Sequence, residues 1–102
     1  MAIWATEGIK SSGASGTLLA DTGPIGGQSS FTFLISSVAA LAVIVAHRNA
    51  ANTADVSTHL VPAQVGLTMP FMIPIDVVPD GRVIVRSNAT IVGSIQATIL
   101  RE

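Results

Sequence analysis

From Ser29 to Leu100 the chain is cut into segments 29–36, 40–48, 55–62, 67–76, 82–87 and 90–100, each rich in Val, Ile, Thr or Phe and bounded by turn residues. β-branched and aromatic residues suit a pleated, half-buried surface, and short runs of them at this cadence specify a sandwich or barrel. No stretch shows the 3.6-residue periodicity of a helix of ordinary length, and no repeat period is visible. The expected fold class is all-β: a small, jelly-roll-like β-sandwich of seven or eight short strands. With 102 residues, one domain is expected.

Phe31 to Ala46 is the stretch most easily mistaken for a membrane span. It is interrupted by Ser36-Ser37 and is shorter than the ~20 apolar residues a spanning helix requires. Phe31, Phe33 and Ile35 alternate with Thr32, Leu34 and Ser36, and Val43-Ile44-Val45 is a β-branched run. Two adjacent strands joined by a bend over 36–40 are therefore expected.

Turn chemistry marks the other boundaries. Pro79-Asp80-Gly81 combines a preset angle with residues that accept a tight reversal, which predicts a hairpin between 67–76 and 82–87. The Asn-rich stretch Arg48 to Asp55 joins two further strands. Pro70 and Pro74 cannot donate ladder hydrogen bonds, so segment 67–76 belongs at an edge or a bulge. In the last segment Ile91, Gly93, Ile95, Ala97 and Ile99 alternate with Val92, Ser94, Gln96, Thr98 and Leu100, as in a central strand with one apolar face.

Residues 1–28 read differently from the 29–102 core. Gly8, Gly13, Gly16, Gly23, Gly26 and Gly27 punctuate a Ser/Thr-rich stretch with short strands at 2–6 and 17–20. This is an extended N-terminal arm, ordered by a neighbouring subunit or loose at the terminus. The start has no basic segment followed by an apolar one, so no secretory signal is read there.

Charge decides what surrounds such a fold. Only 11% of residues are charged, against about 25% in typical soluble domains, while 49% are hydrophobic. A shell of Ser, Thr, Asn, Gly and Ala is far easier to strip of water than one of carboxylates and ammonium groups. It suits a face that meets protein in a permanent assembly. The net charge of −1 and the scattered Lys10, Arg48, Arg82, Arg86 and Arg101 argue against nucleic acid as a partner. Cysteine is absent, which removes disulfides and thiolate metal sites from consideration.

The residues needed for catalysis are not assembled in any motif. No nucleophile-elbow pattern surrounds a Ser, and the carboxylates Glu7, Asp21, Asp55, Asp76, Asp80 and Glu102 are spread singly. His47 and His59 fall near the ends of adjacent expected strands and, with Asp55, could meet as a metal or acid–base cluster; hydrogen bonding beside a loop is the simpler reading. Asn88-Ala89-Thr90 fits the glycosylation acceptor pattern and equally a turn. The expected protein is not an enzyme, takes no cofactor or metal, and has no small-molecule substrate. Candidate partner contacts are Ile3 and Trp4, where Trp4 is a satellite-core residue or an anchor in a partner's pocket, and Met69, Phe71 and Met72 on the proline-containing edge strand.

Within Ala40 to Glu102 several stretches share a pattern with known virion proteins. They are Ala42-Val43-Ile44-Val45-Ala46-His47-Arg48-Asn49-Ala50-Ala51-Asn52, Leu60-Val61-Pro62-Ala63, Asp80-Gly81-Arg82-Val83-Ile84-Val85 and Val92-Gly93-Ser94-Ile95-Gln96-Ala97-Thr98-Ile99. This part of the chain resembles the small structural proteins of tailed bacteriophages, in particular head decoration or cement proteins. The resemblance implies a β-sandwich on the outer capsid shell, made in the host cytoplasm. It also implies an oligomer, often a trimer and otherwise a dimer, that ties major capsid protein subunits together. A tail-associated or lectin-like recognition module is the alternative, weakened by the lack of Tyr and the presence of a single Trp.

Overall fold

The computed structural model describes residues 2–25, 30–68 and 70–101. These form seven strands and no helix: β1 (Ala2–Ala5), β2 (Leu18–Asp21), β3 (Ser30–Arg48), β4 (Asp55–Leu67), β5 (Phe71–Pro74), β6 (Arg82–Ser87) and β7 (Ile95–Arg101). All belong to one sheet, with order β1-β7-β3-β6-β2 and with β4 and β5 also paired to β3. Every strand pair is antiparallel. The sheet curls until its two ends nearly meet, where Glu7 N–H, just past β1, donates to the Leu19 carbonyl of β2. The result is a nearly closed, barrel-like sheet.

β3 is the spine of this arrangement, and it departs from the expected pair of strands. Its 19 residues run through positions 36–40 without reversing. The Ser37 hydroxyl donates to the Ala39 carbonyl, and Val38 N–H donates to Ser94 C=O at 2.8 Å. The local irregularity in its pairing with β4 is therefore a bulge that bends the strand, and a bulge keeps the chain moving forward where a turn would send it back. Phe31, Phe33 and Ile35, then Leu41, Val43 and Val45, all point into the barrel. One face of a single strand thus supplies much of the core.

The expected hairpin between 67–76 and 82–87 is also corrected. The turn itself is present: Gly81 N–H donates to Val78 C=O at 2.8 Å, and Asp80 takes a φ of 62°. Its flanking strands are not partners, because β5 pairs with residues 30–33 of β3 while β6 pairs with β2 and with residues 43–48 of β3. The connection from β5 to β6 instead crosses from one side of the spine to the other. Ile75 and Val77 are buried along the way and add to the core. Burial of those two side chains favours a crossing over a solvent-exposed reversal.

The segment read as an N-terminal arm contributes β1 and β2 to the sheet. β1 pairs with β7, β2 pairs with β6, and Leu19 and Ala20 are completely buried. Lys10 bridges to Ile95 between those strands. The last strand is central, as its alternation predicts: β7 lies between β1 and β3 and buries Ile95, Ala97 and Ile99.

Candidate functional site

The β3–β4 hairpin and its continuation into β5 leave one long side of the sheet open. Residues 56–75 contain no Asp, Glu, Lys or Arg. Charged side chains are a usual guard on exposed edges, and over this length that guard is absent.

Backbone phase shows which groups the edge presents. Thr68 N–H donates to Ile35 C=O at 2.8 Å on the β4 side of the spine, whereas Asn88 N–H donates to Ala42 C=O at 2.9 Å on the β6 side. Successive residues of a strand direct their N–H and C=O groups to opposite sides. Odd-numbered residues of β3 therefore address β4 and β5, and even-numbered ones address β6 and β7. In the register Val43↔Val61, Val45↔His59 and His47↔Ser57, the inward β4 residues are Ser57, His59 and Val61. Thr58, Leu60 and Pro62 direct their backbone outward. The same phase in β5 turns Pro74 outward beside the inward Ile73. Pro62 and Pro74 each lack the N–H that would otherwise stand unpaired on that edge, and Pro62 interrupts it between the outward groups of Thr58 and Leu60 and those of Val65 and Leu67.

Side chains opposite one another in a sheet share a face, so the register also maps the outer surface. One row is Met72, Thr32, Leu100 and Ile3; a second is Leu67, Ser36 and Gln96; a third is Leu60, Ile44 and Arg86. Met72, Leu67 and Leu60 are 63, 69 and 62% exposed. Val38, after Ser37, and Val65, before Gly66, flank the Ser37↔Gly66 pair on one side and are exposed as well. The outer face is thus apolar along β4 and across to β1. It includes a small half-open cleft lined by Ile9, Ser36, Val38, Ser94, Ile95 and Gln96.

The five candidate contacts are divided by the sheet. Ile3 and Met72 lie in the same outer row and are exposed. Trp4 is half-buried and stacks on Phe31, with ring centroids 5.5 Å apart and planes within 15°. Phe71, also half-buried, tilts against Phe33 at 5.7 Å. Met69 lies outside the described residues. Leu60, Val65 and Leu67 were not singled out by residue type; the uncharged run from 56 to 75 is the signal that could have found them.

A charged clamp closes the base of the hairpin. Asp55 accepts from Arg48 Nη1 and from Arg86 Nη2, each at 2.7 Å, and Arg48 Nε also donates to Asn52 Oδ1 at 3.0 Å. Asn52 turns the chain with a φ of 56°. The Arg86 hydrogen bond chiefly, helped by Arg48 and opposed by partial burial, holds the Asp55 carboxyl down to about 2 from an ordinary 3.8; the Arg86 guanidinium is shifted up by the same contact. A carboxylate whose pKa is lowered on folding stabilises the fold fully above its unfolded value, and that contribution disappears as the pH falls through its folded value. The Asp55 side chain is about a quarter exposed, so solvent screening reduces the pair to about 1 kcal/mol. Asp55→Asn is expected to lower the unfolding free energy, read from urea titration at pH 7, by that amount. The two proteins should converge between pH 4 and pH 2, the window of the Asp55 shift.

The histidines are not brought into a common cluster with Asp55. His47 is buried, and its Nε2 accepts from Val78 N–H at 3.0 Å, fixing the crossing between β5 and β6. His59 is exposed on β4. Asp55 is engaged by its two arginines, and among the described residues no group of three or more His, Asp or Glu is placed to hold a metal. What the surface offers is an apolar face and an unpaired strand edge, both suited to protein. No known protein family, curated protein or solved structure matches the chain.

Proposed function

We propose that this chain is a non-enzymatic structural virion protein, a capsid decoration or cement protein that sits on the outer shell and ties neighbouring major capsid protein subunits together. The observation that carries the reading is the outer face of β4 and β5, where Leu60, Val65, Leu67 and Met72 are exposed within a 20-residue run free of formal charge. A cement protein must cover many identical sites and perform no chemistry. Contacts of this kind, multiplied over an oligomer, dissociate slowly through avidity. The resemblance of residues 40–102 to phage decoration proteins supports the same assignment, and with it a jelly-roll-like sandwich as the finer description of the curled sheet.

Purified protein should bind decoration-free capsid shells saturably in a co-sedimentation assay, at a fixed ratio of chains to coat subunits. Substituting Leu67→Glu together with Met72→Glu places two carboxylates on the apolar rows and should abolish that binding while leaving the β-sheet circular dichroism unchanged. Failure of the unaltered protein to bind shells would overturn the assignment. Saturable binding on a glycan array would then favour the recognition-module alternative.

A further inference from the structure

We propose that two copies of this chain join through β4, edge to edge and antiparallel, about a two-fold axis at His59. The inference deepens the reading of the β4 side as a protein-contact surface by naming its first occupant as a second copy of the chain.

Three observations lead there. First, the sheet is nearly closed, with the short strands β1 and β2 at its ends and a Glu7-to-Leu19 hydrogen bond between them. The long open edge is the β4–β5 side. A strand-to-strand contact between copies must then use this edge on both, and a contact of a surface with itself is isologous and two-fold. Second, the outward backbone groups are self-complementary. With the axis at His59, Thr58 faces the other copy's Leu60 and Leu60 faces its Thr58, both as hydrogen-bonded pairs, while His59 faces His59 as a non-hydrogen-bonded pair. Pro62 bounds the pairing: it interrupts the row of outward donors just beyond Leu60, ahead of the register shift at Gln64. Third, the charges permit it. The nearest ionised side chain on β4 is Asp55, and this register sets it opposite the other copy's Ala63, so no like charges meet. Exposed Leu60 and Val56 would lose water in the process.

This arrangement gives a dimer, the less common of the two oligomers that the resemblance implies. In solution the intact chain should show twice its 10.4 kDa mass by light scattering. Because the sequence has no Cys, His59→Cys supplies one thiol per copy. A non-hydrogen-bonded pair brings the two Cα atoms to ~4.5 Å, inside the disulfide range. Mild oxidation should convert this variant into a covalent dimer. Ser57→Cys should stay reduced, since its counterpart lies about 13 Å away along the strands. Leu60→Pro removes an outward N–H and leaves the bonds to β3 intact. It should raise the dissociation constant about ten-fold or more with an unchanged circular dichroism spectrum.

A mass of one chain or of three would overturn the proposal, as would a dimer in which His59→Cys fails to cross-link or Ser57→Cys cross-links equally well. The test uses the purified chain alone. A dimer that ignores capsids would sink the proposed function and leave this pairing standing; a monomer that decorates capsids would do the reverse.

Discussion

Phe33→Ala is expected to strip the isolated protein of a large part of its stability at 25 °C. Phe33 is fully buried on β3, opposite Phe71 on one side and Ile99 on the other, and its ring packs against that of Phe71. Truncating a buried Phe costs roughly 3–5 kcal/mol, the sum of lost transfer energy and the cavity left behind. Domains of this size have only about 5–15 kcal/mol to lose. The cavity would open in the one strand that the six others use as a partner or reach through a partner, so the surroundings have little freedom to collapse into it. Urea titration followed by circular dichroism is the measurement. Met72→Ala, one residue from Phe71 but on the outer face, should change the unfolding free energy by less than about 0.5 kcal/mol. Similar losses for the two would mean that the faces of β3 and β5 are assigned the wrong way round.

The second large effect is expected from Gly81→Ala. A Cβ at this position would lie 2.7 Å from the Arg48 carbonyl oxygen and 3.0 Å from that of Val78, with a Val78 methyl at 2.8 Å. Two of these are backbone atoms and cannot swing aside, so the turn itself must move. Gly81 N–H donates to Val78 C=O and Gly81 C=O accepts from Ile25 N–H, so both bonds would be disturbed together. Overpacking of this kind costs about 1–3 kcal/mol, and the involvement of two carbonyls places this case at the upper end. Gly16→Ala is the useful contrast: there is open space around its Cβ position, so only the left-handed backbone, with φ of 92°, opposes the change. Its cost should be about 1 kcal/mol. Thermal denaturation of the pair would separate a steric effect from a backbone one.

The features legible in the sequence are those with local causes. The turn at residues 78–81 and the Asn-rich loop after Arg48 follow from residues in immediate succession, and both are present. The edge position of the segment with Pro70 and Pro74 follows from a missing donor, and β5 does lie on the outer side of β3. The continuity of β3 could not be read in the same way. Ser36-Ser37 has the composition of a bend, and what holds it extended is a hydrogen bond to Ser94, far along the chain. The partner of β5 is hidden from local pattern for a related reason: proximity in sequence favours a hairpin, whereas the choice here is made by the burial of Ile75 and Val77. The division of Ile3 and Met72 from Trp4 and Phe71 rests on register between strands from opposite ends of the chain, which no local pattern encodes.

The double use of β3 also orders events in time. Its pairing with β4 closes only the short loop over residues 49–54, a step available to a chain within microseconds. Docking of β1 against β7 must instead unite Ala2 with Arg101, so the seam of the barrel can zip only after the spine exists. Refolding dominated by such distant pairings belongs in the millisecond-to-second range. Substitutions along the seam should accordingly hasten opening of the finished protein and barely slow its formation, whereas damage to the spine slows formation itself.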